Sequence, residues 1–131
     1  EAGGMKLVMV VTKLTGNEEN DQARAQEYCR YAAHKGVIPV SAYLNFHGMF
    51  PDELGGAVEH VLASRMAKQV DEIWVFGNET DEEKQNRIEE ACREYGGRAK
   101  YFDAREIGED LLLCTMFSEE LIEKLEEMEE F

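Results

Sequence analysis

The chain has 131 residues, the length of one domain, and 28 Asp and Glu against 14 Lys and Arg give it a formal net charge of −14. A groove that neutralises phosphates needs clustered cations, so direct binding to a nucleic-acid backbone is excluded over most of this surface. No apolar run approaches the ~20 residues that cross a bilayer, and the three cysteines (Cys29, Cys92, Cys114) are odd in number with no C-x-x-C pair, so the expectation is a cytoplasmic protein with reduced thiols and no membrane association.

Glu1 to Gly4 reads as an addition ahead of Met5, leaving a single domain over 5–131. Met5 to Val11, "MKLVMVV", is a short apolar run rich in β-branched residues and predicts a first strand over Lys6–Val11. The stretch "TKLTGNEEN" then turns and opens a helix near Asn20, on which Ala25, Tyr28, Cys29, Ala32 and Ala33 share one face, with Gly36 as its stop. A second strand covers Val37–Ala42, the loop "AYLNFHGMF" follows, and the next helix carries Leu54, Ala57, Val58, Val61, Leu62 and Met66 as its expected inner stripe. "DEIWVFG" holds a third strand at Glu72–Phe76. Thr80-Asp81-Glu82-Glu83 is a capping-box pattern for a helix with Ile88, Ala91, Cys92 and Tyr95 inward, ended by Gly96-Gly97, and Arg98–Phe102 is a fourth strand. Residues 118–131, "SEELIEKLEEMEEF", place Leu121, Ile122, Leu125 and Met128 at helical spacing among seven Glu. That stripe must be buried on its own domain or across a homodimer, and the dimer is the favoured expectation.

Strands alternating with helices predict an α/β fold with a parallel sheet ordered 2-1-3-4 and helices on both faces. In such sheets ligands sit beyond the carboxyl ends of the strands. The candidate ligand-binding residues are therefore Thr12, Lys13, Gly16, Asn17 and Asn20 after the first strand, Tyr43, Asn45 and His47 after the second, and Gly77 and Asn78 after the third. Backbone N–H groups at Gly16, Asn17 and the helix start suit an anion, although Gly-Asn also makes a simple turn and Asn20 a simple cap. Tyr43, Phe46 and Phe50 either stack on a base or pack in the core, and His47 is either a base or an ordinary loop residue. His34, His47 and His60 lack metal spacing, and no metal or cofactor is expected.

The string "TGNEENDQARAQEYCRYAAHKGVIPVSAYLNF", followed by "MAKQVDEIWVFG", resembles an uncharacterised domain family common in phages and their bacterial hosts, itself similar to the nucleoside 2-deoxyribosyltransferase fold. The matching residues are Gly16, Asn17 and Asn20; Ala25, Tyr28, Cys29, Arg30 and Ala32; Gly36 and Pro39; and Asp71, Glu72, Trp74, Val75, Phe76 and Gly77. The resemblance spans about Lys6 to Phe102. It implies a flavodoxin-like or deoxyribosyltransferase-like sheet of four to five strands with a C-terminal helix. It also implies a carboxylate nucleophile in the helix after the third strand, and at that position this chain has Arg87, with Glu83 where the family has a small residue. Arginine cannot act as that nucleophile. Thr12-Lys13-Leu14 also replaces the family's Ser-Pro-Tyr, and Ala42-Tyr43 its Pro-His. The first expectation is thus a nucleoside- or nucleotide-binding protein without the glycosidic chemistry and with no catalytic residue assigned. The alternative is an acidic protein of phage origin that imitates nucleic acid and docks on a basic nucleic-acid-binding or defence protein, and a nucleoside N-glycosidase comes third.

Overall fold

The structure, a computed structural model, describes residues 4–116 and 118–129. The four apolar runs become β1 (Leu7–Thr12), β2 (Ile38–Val40), β3 (Glu72–Gly77) and β4 (Ala99–Asp103). They pair in parallel in the order β2-β1-β3-β4, as the alternation predicts, with Val10 opposite Trp74, Thr12 opposite Phe76 and Gly77 opposite Asp103. β1 and β3 occupy the centre, which is why their sequences are apolar on both faces. The arrangement is flavodoxin-like.

Helices α1 (Glu18–His34) and α5 (Gly108–Met116) cover one face, where Val8, Val10, Trp74 and Phe76 meet Tyr28, Tyr31, Leu111 and Cys114. Phe76 is stacked between Tyr28, at 4.5 Å between ring centroids, and Phe102, at 5.0 Å, and Tyr31 meets the Phe76 and Phe102 rings edge-on. On the other face Met9, Ile73 and Val75 pack on Ala67 of α3 (Gly55–Gln69), on Val70 just past its end, and on Ala91 of α4 (Asp81–Tyr95). The helix ends follow their punctuation. Asn17 accepts from the Asn20 N–H at 3.0 Å, Thr80 accepts from the Glu83 N–H at 3.4 Å, and Gly36 (φ +90°) takes the left-handed geometry that ends α1.

Three features depart from the sequence expectation. The stretch after β2 is not all loop: Ala42–Phe46 forms a short helix α2, started by Ser41, whose hydroxyl accepts from the Leu44 N–H. A further helix, α5, forms over Gly108–Met116, a stretch for which no element is predicted. The expected inner stripe of α3 turns inward only in part: Val58, Leu62 and Met66 are half-buried, with Met66 packed on the core, but Leu54, Ala57 and Val61 face water, while Gly55 and Ala67 are buried. Any side chain on Gly55 would collide with the Phe50 carbonyl, so the backbone itself packs there and sets the rotation of the helix. The C-terminal helix α6 (Ser118–Glu129) sits on the end of α1. Lys124 Nζ donates to the His34 carbonyl at 2.5 Å, and the Met128 methyl lies 3.2 Å from where a Cβ on Gly36 would stand. Among the described residues no helix is long and apolar enough to cross a membrane.

The amino-terminal edge of the sheet is tied by Glu72, whose carboxylate accepts from Lys6 Nζ at 2.6 Å and from Trp74 Nε1 at 2.9 Å, with Lys100 Nζ at 3.1 Å. These contacts, the Lys6 bond first, hold its carboxyl at about 2. A depressed carboxyl contributes stability that is complete above its unfolded value and is lost as pH falls through about 2. Glu72→Gln is therefore expected to lower unfolding stability by about 1–3 kcal/mol at pH 7. In urea titrations the difference should shrink steadily as the pH is lowered below ~4.5. Equal midpoints for the two proteins at pH 7 would contradict this.

Candidate functional site

The chain leaves β1 toward β2 on one side and β3 on the other, so the loops after β1 and β3 diverge and open a crevice at the carboxyl end of the sheet. A cavity of about 240 Å³ occupies it, lined by Lys13, Thr15, Asn20, Asp21, Arg24, Tyr28, Phe76, Gly77 and Asn78 among others. Lys13 also borders a neighbouring cavity of about 360 Å³ formed with Glu79, Glu83, Asn86, Arg87 and Glu90. Across β1 a third cavity of about 280 Å³ is lined by Thr12, Leu14, Tyr43, Glu59 and Tyr95 with the apolar residues of β1.

The loop after β1 is organised by Asp21, a buried residue of α1. Its carboxylate accepts from the Thr15 N–H at 2.9 Å, the Thr15 hydroxyl at 2.8 Å and the Gly16 N–H at 3.2 Å. Burial pushes the Asp21 carboxyl up, but these donors outweigh it and hold it below the usual range. The Asn17 N–H turns back to the Thr15 hydroxyl and the Asn20 N–H to the Asn17 side chain. The amides of Thr15, Gly16, Asn17 and Asn20 are thus engaged inside the loop, and the polar groups bordering the cavity here are side chains: Lys13, Asn20 and Arg24. Thr12, at the end of β1, keeps a buried hydroxyl with no hydrogen-bond partner among the described residues.

At the end of β3 the site is organised by a second buried carboxylate. The Glu79 side chain is only 3% exposed. Tyr101 donates its hydroxyl to Glu79 Oε1 at 2.6 Å, Arg87 Nη1 donates to Oε2 at 2.6 Å, and Lys13 Nζ stands 3.9 Å away. Arg87 Nη2 also reaches the Phe76 carbonyl at 3.3 Å. Burial pushes the Glu79 carboxyl up, yet Tyr101 and Arg87 keep it below its ordinary value, while burial and the Glu79 charge push the Tyr101 phenol well up. Gly77 makes this possible, because a Cβ there would collide with Glu79 Oε1 and the Tyr101 hydroxyl. Beside it, buried Asp103 at the end of β4 binds Arg105 through both oxygens, at 3.0 and 2.7 Å, with Lys84 Nζ at 3.3 Å.

The structure therefore brings Lys13, Asn20, Gly77 and Asn78 together in one cavity. Gly16 and Asn17 shape its loop, and Thr12 and Tyr43 border the cavity on the other side of β1. Tyr43 stacks on His47 at 4.5 Å between ring centroids, and His47 bonds Glu18 at 2.8 Å. Asn45 is exposed on α2 and borders neither cavity. Sequence reasoning missed Asp21, Arg24, Glu79 and Tyr101 and saw Arg87 only as a lost nucleophile. Glu79 carried one readable signal, an acid two residues beyond the apolar run Ile73–Gly77 of a central strand.

The Domain of unknown function (DUF7768) family matches residues 6–102. The chain belongs to this family. No curated protein and no solved structure matches the chain. The DUF7768 region takes in β1, β2, β3 and nearly all of β4, including Asp21, Glu79, Arg87 and Tyr101, whereas α5 and α6 follow it.

Removing Arg87 alone would leave a buried charge without its closest cation, since Lys13 is too far for a close hydrogen bond. Arg87→Met is expected to cost about 3–5 kcal/mol in chemical denaturation, and adding Glu79→Gln should recover most of that loss. A single variant as stable as the native chain would contradict the pairing.

The Glu18 bond, followed by the Glu59 charge, raises His47 above the ordinary imidazole value despite partial burial. The contact stabilises the protein fully below its unfolded value of ~6.5 and is lost as pH rises through the raised one. In an NMR titration His47 should therefore have its midpoint above ~6.5, and Glu18→Gln should lower it; a native midpoint at or below ~6.5 would refute the contact.

Proposed function

We propose that this chain binds a nucleoside or nucleotide at the carboxyl-end crevice of a deoxyribosyltransferase-like fold and does not cleave the glycosidic bond. The observation that carries the reading is Arg87. At the position where the resemblance implies a carboxylate nucleophile, a guanidinium is locked on buried Glu79, and both Glu79 oxygens are occupied by Arg87 and Tyr101. A carboxylate bonded in this way is a poor nucleophile, because attack would require breaking short charge-assisted hydrogen bonds. What remains is recognition. Lys13 and Arg24 offer cations for a phosphate, and Asn20 and Asn78 offer amides. In the adjoining cavity Glu83 and Asn86 offer acceptors for sugar hydroxyls. The ligand would thus lie across Lys13, which borders both spaces.

In thermal-shift and calorimetric titrations, 2′-deoxynucleoside 5′-monophosphates are expected to bind more tightly than the corresponding nucleosides. Arg24→Ala should weaken the monophosphates by about tenfold, the loss of roughly one charge-assisted contact. Chromatography of the same mixtures should show no free base after hours. Rapid base release would overturn the reading, and so would the absence of any shift with all four monophosphates at millimolar concentration.

A second reading rests on a different observation. The outward carboxylates of α4 (Glu82, Glu83, Glu89, Glu90) and of α6 (Glu119, Glu120, Glu123, Glu126, Glu127) are exposed. Such faces suit a protein that imitates a phosphate backbone and occupies a basic nucleic-acid-binding or defence protein, through contacts weakened by salt.

A further inference from the structure

Helix α3 carries two apolar stripes, and only one meets the domain. Ala67 faces the sheet, while Leu54 at 68% and Val61 at 52% exposure face water, with exposed Ala57, Ser64 and Lys68 completing the row at helical spacing. Met49, at 58%, and Leu44 of α2 are exposed as well, and α2 packs against α3. Large apolar side chains exposed together along the first half of a helix mark an interaction surface.

Charge identifies the occupant. A second copy of a −14 chain is repelled from the acidic faces of α4 and α6. The α3 face differs because its charges are segregated: Asp52 and Glu53 lie at its beginning and Arg65 and Lys68 at its end. Among the described residues neither Arg65 nor Lys68 has an ion-pair partner. Acid at one end, base at the other and apolar residues between make a surface complementary to itself under a twofold rotation. With two α3 helices antiparallel and crossing at Val61, the basic end of each approaches the acidic start of the other. Ala57 and Ser64 on either side are small enough to let the helix axes come close.

We propose that a second copy of this chain docks on the α3 face, forming a twofold dimer centred on Val61. The sequence pattern alone favours a dimer through residues 118–131, but Lys124 and Met128 of that segment are engaged on their own α1 end; Leu112, Leu113 and Ile122 are also exposed, on the acidic helices α5 and α6, whereas the exposed apolar residues flanked by charges of both signs are those of α3. The inference is independent of the ligand reading.

The test uses the full chain. A residue on a twofold axis faces its own copy, so Val61→Cys in a Cys92→Ser background should form a disulfide-linked dimer on mild oxidation, and Ile122→Cys on α6 should not. By light scattering the native chain should be dimeric at tens of micromolar. Val61→Arg should be monomeric with an unchanged circular dichroism spectrum, whereas Ile122→Arg should stay dimeric. Lys68→Glu should weaken the dimer about tenfold, and Glu53→Lys added to it should restore association. A monomeric native chain at ~100 µM, far above the dissociation constants of stable dimers, would overturn the proposal. So would dissociation by Ile122→Arg with Val61→Arg still dimeric, which would place the interface on α6.

Discussion

A carboxylate buried at the end of a central strand must be paired, and the carboxyl-end rim is arranged around how Glu79 meets that requirement. Its two oxygens are satisfied from two directions, by Tyr101 from β4 and by Arg87 from the second turn of α4. Gly77 is bare of a side chain because Glu79 folds back over it. The Arg87 guanidinium in turn closes on the Phe76 carbonyl, so β3, β4 and α4 share one polar junction. Asp103 with Arg105 and Lys84 repeats the device one strand further out. The rim is therefore rigid on its β3–β4 side, and its charges are committed to each other.

The β1 side is pre-organised differently. Asp21 gathers the N–H groups of its own preceding loop, a local arrangement that needs no other strand. The consequence for function is a division of labour. Backbone donors that would otherwise form an anion cradle hold the loop in shape, so under the proposed function recognition would fall to Lys13, Arg24, Asn20 and Asn78, which line the cavity. A loop already held by its own hydrogen bonds loses little conformational entropy on binding, which is compatible with the proposed binding role.

The topology was legible because β1 and β3 are buried on both faces, so their apolar runs are continuous and the intervening helices have clear stops at Gly36 and Gly96. Gly77 and Asn78 could be placed at the rim from topology alone. The Glu79 junction could not. Its partners are 8 and 22 residues away, and only the register that sets Val75 beside Tyr101 brings the phenol to the carboxylate. The rotation of α3 was hidden for another reason: apolar residues occupy two of its faces, so periodicity does not choose between Val61 and Ala67 as the inward residue. The α2 helix over Ala42–Phe46 is not legible in a stretch that reads as loop; it leaves Asn45 exposed and turns His47 toward Glu18 and Glu59, with Tyr43 bordering the cavity beside Thr12.

The most direct test of the proposed binding role is a crystal structure of the protein with a 2′-deoxynucleoside 5′-monophosphate. The account predicts an intact glycosidic bond, the phosphate within hydrogen-bond distance of Lys13 and Arg24, and Arg87 still paired with Glu79. A cleaved sugar bonded to Glu79, with Arg87 swung away, would contradict it.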